Sequence, residues 1–150
     1  MTEESGHVFR VTATWSPEEK KGDIASDSAL LAVPHAGATA LGGTGAATNP
    51  EELIAAALSS CFVQTWTIFI QKLKVPIEHP VVRVTCTVDK DPAGGFHITR
   101  LDVAPRVPAA LWSERRADVE KTLQLAEKYC IVSKAVRADG SVLHVAPDVT

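Results

Sequence analysis

A chain of 150 residues with 45% hydrophobic and 22% charged composition fits one ordinary globular domain spanning residues 1–150 with a sizeable core. The net charge of −3 removes the electrostatic case for binding nucleic acid or an anionic membrane.

In chain order, Val8 to Trp15 is rich in β-branched and aromatic residues and predicts a strand. Ser16 to Asp23 holds Pro17 and Gly22 and predicts a polar hairpin turn. Ile24 to Val33 has room for one or two short strands. Pro34 to Thr48 is glycine-rich and small, which predicts a loop of about 14 residues; loops that long without their own structure are usually functional or disordered.

The following stretch, Thr48-Asn49-Pro50-Glu51-Glu52-Leu53-Ile54, carries the clearest local signal in the chain. Asn49 suits a helix N-cap and Pro50 the first helical position. Glu51 and Glu52 favour the positive end of the helix dipole, and Glu52 stands where a capping box needs it. From Leu53 to Ile70 apolar residues fall all round the helix, which predicts burial on most faces. Ser59, Ser60, Gln64, Thr65 and Thr67 interrupt this run, and it is at the short end for a membrane span, so a central helix of a soluble domain is expected. Val75-Pro76 stops it near Lys72 to Lys74.

Pro80–Asp89 and Phe96–Pro105 alternate around the turn Asp91–Gly95 and predict a hairpin, with one register irregularity in the second strand. Ser113 is placed to cap a second helix running to about Tyr129. Cys130 stands at or near the start of a further short helix ending by Gly140. Ser141 to Ala146 predicts a last strand. The order of strands, helix, strands, helix, strand argues an α+β fold with mostly antiparallel sheets.

The opening MTEESGHVFR is polar and acidic, with no basic start backed by an apolar core, so it does not read as a signal peptide. A reducing, cytoplasmic compartment is the expectation. Three cysteines are few, and odd in number, for a disulfide scaffold of this size. Cys86 shares parity with Val82, Val84 and Val88, which makes it a small buried hydrophobe. Cys61, on an apolar helix, has either a core role or a chemical one. Cys130 is open to both readings too, because a helix N-terminus stabilises thiolate. No metal-ligand spacing joins His7, His35, His79, His97 or His144 to the cysteines, so no metal or other cofactor is expected. Gly42–Gly45 lacks the ending of a phosphate loop. Ser59-Ser60 lacks the flanking glycines of an esterase elbow.

Thr48 to Ile54, followed by Ala55-Ala56-Ala57 and Cys61-Phe62, resembles the signature of the OsmC/Ohr peroxidase family. Gly95-Phe96-His97-Ile98-Thr99 is similar to the family's central hairpin. Ala126 to Ser133 is similar to the segment around its second cysteine. The wording is closer to the OsmC branch. The resemblance implies an OsmC-like fold, with mostly antiparallel sheets around a long buried central helix in an interwoven homodimer. It also implies a metal-free, thiol-dependent hydroperoxidase. On this resemblance Cys61 is the peroxidatic cysteine, Cys130 the resolving one, and Glu51 the glutamate near the reactive thiol. The family's arginine, from the turn after the first strand, is absent; Lys20 and Lys21 stand there without its planar fork.

The implied partners are a second copy of the chain, a small hydroperoxide and an external dithiol reductant. Thiolate attack on an O–O bond would leave Cys61 as sulfenic acid, and condensation with Cys130 would give a disulfide. Apolar surroundings including Phe62 and Trp66 would suit an organic hydroperoxide. The alternatives are a binding relative without turnover and a thiol redox sensor.

Overall fold

The computed structural model is described here over residues 6–137 and 142–150. Its contacts divide the chain into two units, 1–53 and 54–150.

The first unit is a three-stranded antiparallel sheet in the order β1 (Val11–Ala13), β2 (Lys21–Ser26), β3 (Ala32–Ala36). β1 is shorter than the expected Val8–Trp15, because pairing with β2 ends where Val11 faces Ser26. Phe9 lies beyond that edge, 91% exposed. The turn is tighter than expected: Ser16 and Lys21 already pair, with Ser16 N–H donating to the Lys21 carbonyl at 2.8 Å. A Cβ on Gly22 would lie 1.8 Å from the Thr14 carbonyl oxygen, so glycine is required there. Its absent side chain lets the His35 ring reach across, with Nε2 donating to that same carbonyl at 2.9 Å. The ring also rests against Trp15. His35 is therefore a strand residue that ties β3 to the end of β1.

The loop before the long helix is more ordered than its composition suggests. β3 takes its first residues and Thr39–Leu41 form a 3-10 turn. Ala36 N–H donates to the Thr48 carbonyl at 2.8 Å, and Gly45 N–H to that of Gly37 at 3.0 Å. Ala36 is the one buried residue among those described in this unit.

Helix α1 (Pro50–Lys72) begins in the first unit and continues through the second. Its start carries the expected cap, Asn49 Oδ1 accepting from Glu52 N–H, but the return bond of the box runs between side chains, Asn49 Nδ2 donating to Glu52 Oε1, both at 2.9 Å. Its burial differs from expectation. Only Leu58, Phe62, Trp66 and Ile70 are fully buried, a single stripe at helical spacing, and Ile68 is half exposed. By length and composition α1 could cross a membrane, but this stripe enters the core of the second unit, beside Leu101, Val103, Val107, Val119, Leu123 and Ala126. Each large apolar side chain so buried is worth about 1.5–3 kcal/mol.

The second unit pairs β4 (Val82–Lys90) with β5 (Phe96–Val107) in the expected hairpin. Thr87 faces Arg100 and Val88 faces Ile98, leaving Thr99 as the extra residue of a bulge; this is the anticipated irregularity. β6 (Leu143–Val145) and β7 (Asp148–Val149) both run parallel to β5, so this sheet is mixed. The expected β6 start at Ser141, and the stop at Gly140, lie outside the described residues.

The helix expected from Ser113 is two helices, α2 (Ala109–Glu114) and α3 (Arg116–Tyr129), and Ser113 lies inside α2. Arg115 breaks them. Its guanidinium donates to the Lys74 carbonyl at 2.8 Å and pairs with Asp118, so it satisfies carbonyls left over at the end of α1. One polar bridge crosses the core: Trp66 Nε1 donates to Thr122 Oγ1 at 2.9 Å, and Thr122 donates on to the Val119 carbonyl.

Candidate active site

Cys61 opens the fourth turn of α1, half-buried and packed against the core. Cys130 is fully buried at the junction of α3 and α4 (Ile131–Val136). Its extended backbone, φ −64° and ψ 117°, ends α3, and its sulfur accepts from Ser133 N–H at 3.5 Å. A cysteine sulfur thus occupies the capping position of α4, the placement the sequence suggested.

The fold brings these two thiols together, and it shifts them apart. Burial acts to raise the Cys61 pKa, but hydrogen bonds overcome it. The Val132 N–H contributes most, then the Cys130 thiol, then the Ile131 N–H, and the net direction is down. Thr65 contributes least, consistent with its hydroxyl donating to the Cys61 carbonyl at 2.9 Å. For Cys130 burial dominates and the direction is up; the Ser133 side chain and N–H oppose it, while neighbouring Cys61 reinforces it. The two thiols are thus pushed in opposite directions, Cys61 toward the thiolate and Cys130 toward the neutral thiol. Two backbone N–H groups and a thiol act on Cys61, so this sulfur is the more readily ionised of the two.

Glu51 is on the same helix, ten residues before Cys61. That is about 15 Å along the axis and about 80° around it, so one continuous helix does not bring them together. Glu51 Oε2 is buried without a hydrogen-bond partner, and among the described residues no ion pair involves Glu51. Lys20 is held in a left-handed backbone conformation, φ 53°. Lys21 lines a cavity of about 300 Å³ with Trp15, Glu19 and Asp23. Neither lysine supplies the missing cation to Glu51 within the chain.

Phe62 and Trp66, expected as apolar surroundings of the site, are fully buried in the core on the same helix as Cys61. On either side of Cys130 in sequence, Tyr129 and Ile131 leave their side chains exposed, Ile131 to 76%. Cys86 alternates inward with Val82, Val84 and Val88 and packs against the core, half-buried. Among the described residues no His, Cys, Asp and Glu cluster suits a metal. Sequence reasoning passed over Ser133, whose hydroxyl is buried and unpartnered next to Cys130; its position three residues after the capping cysteine was the available signal.

A family model described as OsmC-like protein matches residues 43–144, which include Glu51, Cys61 and Cys130. An organic hydroperoxide resistance protein-like 1 of Staphylococcus epidermidis is 36% identical over 95 residues. That match covers 63% of this chain and 66% of the relative, just under two thirds of its length. An organic hydroperoxide resistance protein-like protein of Staphylococcus aureus is 31% identical over 126 residues, 82% of this chain and 84% of that one. Among solved structures, an organic hydroperoxide resistance protein from Elizabethkingia anophelis has a TM-score of 0.75 at 23% identity, covering 99% of both chains. OhrB of Bacillus subtilis has a TM-score of 0.70 at 24% identity, covering 96% of this chain and 98% of that one. These two likenesses carry the fold. The family model and the sequence matches establish that this chain belongs to the OsmC-like protein family.

Proposed function

We propose that this protein is a thiol-dependent hydroperoxide reductase that detoxifies organic hydroperoxides, working as a single OsmC-like domain in a cytoplasmic homodimer. The observation that carries the reading is the opposed shift of two neighbouring thiols, Cys61 down and Cys130 up. Such a pair eases ionisation of the attacking thiol and keeps its partner protonated to higher pH, ready to resolve. The names of the sequence relatives, organic hydroperoxide resistance protein-like, agree with that chemistry.

The steps balance as follows. Cys61 thiolate attacks one oxygen of ROOH, the O–O bond breaks, and the alcohol leaves after taking up a proton. Cys61 is then a sulfenic acid. Cys130 displaces its oxygen as water and a Cys61–Cys130 disulfide remains. An external dithiol reduces this by exchange, becoming a disulfide itself. No metal or prosthetic group takes part in these steps.

Two observations support the dimer. The first unit buries one described residue, Ala36, and a three-stranded sheet without a core needs a surface to pack on. α1 leaves apolar positions such as Ile68 half exposed. In this reading Glu51 serves the Cys61 of the other subunit, and the cation it lacks comes from Lys20 or Lys21. The test is reductant-dependent turnover with an alkyl hydroperoxide and with hydrogen peroxide. Turnover should be faster with the alkyl substrate and absent in Cys61→Ser. A wild-type protein that consumes neither peroxide would leave a binding relative or a sensor instead.

A further inference from the structure

We infer that the Ser133 hydroxyl activates the Cys130 thiol for its attack on oxidised Cys61. The inference deepens the hydroperoxide reading and rests on it for the oxidant. Ser133 is fully buried, and its Oγ has no hydrogen-bond partner. A buried hydroxyl left so is costly, and native cores rarely keep one without a reason. Thr122, the other buried polar side chain of this core, has both functions satisfied, accepting from Trp66 and donating to the Val119 carbonyl. Ser133 is the exception. Helix formation gives it no reason either, since alanine is the better residue inside a helix.

Its surroundings supply one. The Ser133 N–H points at the Cys130 sulfur at 3.5 Å, so the residue is fixed against that atom. Its hydroxyl acts in the same sense as its N–H, favouring the Cys130 anion against burial. In the thiol state the hydroxyl has little to donate to. As the S–H proton leaves, the sulfur becomes a strong acceptor and the idle donor gains a charge-assisted bond. The hydroxyl's interaction with this sulfur is thus weak for the thiol and strong for the thiolate, which is the form a rate-enhancing contact takes.

The step conserves atoms and electrons. The Cys130 S–H bond gives up its proton and its electron pair attacks the Cys61 sulfur of the S–OH group. The S–O bond breaks, the oxygen leaves with that bond's electrons, and the released proton completes a water molecule. One S–S bond is formed, and Ser133 is unchanged. Among the described residues, Cys61 on α1 is the titratable group acting on Cys130. Lys134 on α4 sends its ammonium over the Tyr129 ring, and Arg137 pairs with Glu127.

The test is Ser133→Ala, which removes a single oxygen, read in two ways. In one, an alkyl hydroperoxide oxidises the protein, and dimedone trapping of Cys61 sulfenic acid competes with disulfide formation. In the other, which needs no peroxide, Cys61 is loaded as a mixed disulfide with thionitrobenzoate, and Cys130 expels the coloured thiol in a second phase. The variant should load Cys61 at the wild-type rate. Its second phase should slow by about tenfold, as loss of one hydrogen bond to an anion implies, and that phase's pH midpoint should rise. Its Tm should be unchanged or higher. A wild-type second phase would overturn the inference. So would a lowered Tm with both phases slowed, which marks a structural role. A slowed second phase in a protein that no hydroperoxide oxidises would sustain the Ser133 assignment and sink the hydroperoxide reading alone.

Discussion

Cys61 and Cys130 act on each other and are driven in opposite directions, the first below the ordinary thiol pKa and the second above it. The cause is asymmetric exposure to donors. Cys61 receives the Val132 and Ile131 N–H groups and the Cys130 thiol, whereas Cys130 is sealed in the core beside a developing anion.

This asymmetry fixes an order of alkylation. With iodoacetamide at rising pH, Cys61 should be modified first, at a pH below that for an unfolded thiol, and Cys130 last. The linkage has matching signs. Cys61, depressed in the fold, stabilises the native state above the unfolded thiol pKa, and this is lost as pH falls through its folded value. Cys130, raised in the fold by burial of its neutral form, contributes below the unfolded thiol pKa, and this is lost as pH rises through its folded value. Peptide mapping after partial alkylation reads the order; Cys130 reacting ahead of Cys61 would refute it.

Cys86 is expected to be replaceable. It sits inward on β4, opposite Leu101 and among valines. Cys86→Val should keep full turnover and change stability by less than about 1.5 kcal/mol, as a near-isosteric apolar swap does. Urea denaturation and a peroxide assay check both halves. A folded but inactive variant would assign this thiol a role that its strand position denies.

Much of this architecture was legible because it is local. Asn49, Pro50 and Glu52 announced the start of α1 through contacts within three residues. The broken alternation around Thr99 announced the bulge. What stayed hidden depends on partners far along the chain. Arg115 divides α2 from α3 while it reaches carbonyls 41 and 42 residues away. β6 and β7 lie parallel to β5, an arrangement that no hairpin turn encodes. The reach of His35 across Gly22 needed three strands to be in register. The two thiols were visible as candidates, but Ser133 emerged only once burial showed its hydroxyl to be stranded.

Glu51 supplies a test of subunit arrangement. Its distance from Cys61 along one helix, about 15 Å, and its unpartnered oxygen both lead to the proposal that it acts across a two-fold axis. Glu51→Ala and Cys61→Ser should each be inactive alone. Mixed under conditions that exchange subunits, they should regain activity, because one site in the heterodimer then combines a wild-type Glu51 with a wild-type Cys61. No recovery, with heterodimer demonstrated by native mass spectrometry, would place Glu51 in its own chain's site or outside the chemistry.

The proposed chemistry requires Cys61 and Cys130 to close on each other after oxidation. Its most direct test is intact and peptide mass spectrometry of the reduced protein after one equivalent of an alkyl hydroperoxide. The expected result is a loss of about two hydrogens per chain, with one peptide pair joined through Cys61 and Cys130, as sulfenate condensation requires. A linkage through Cys86, or a chain still fully reduced beside unconsumed hydroperoxide, would contradict it.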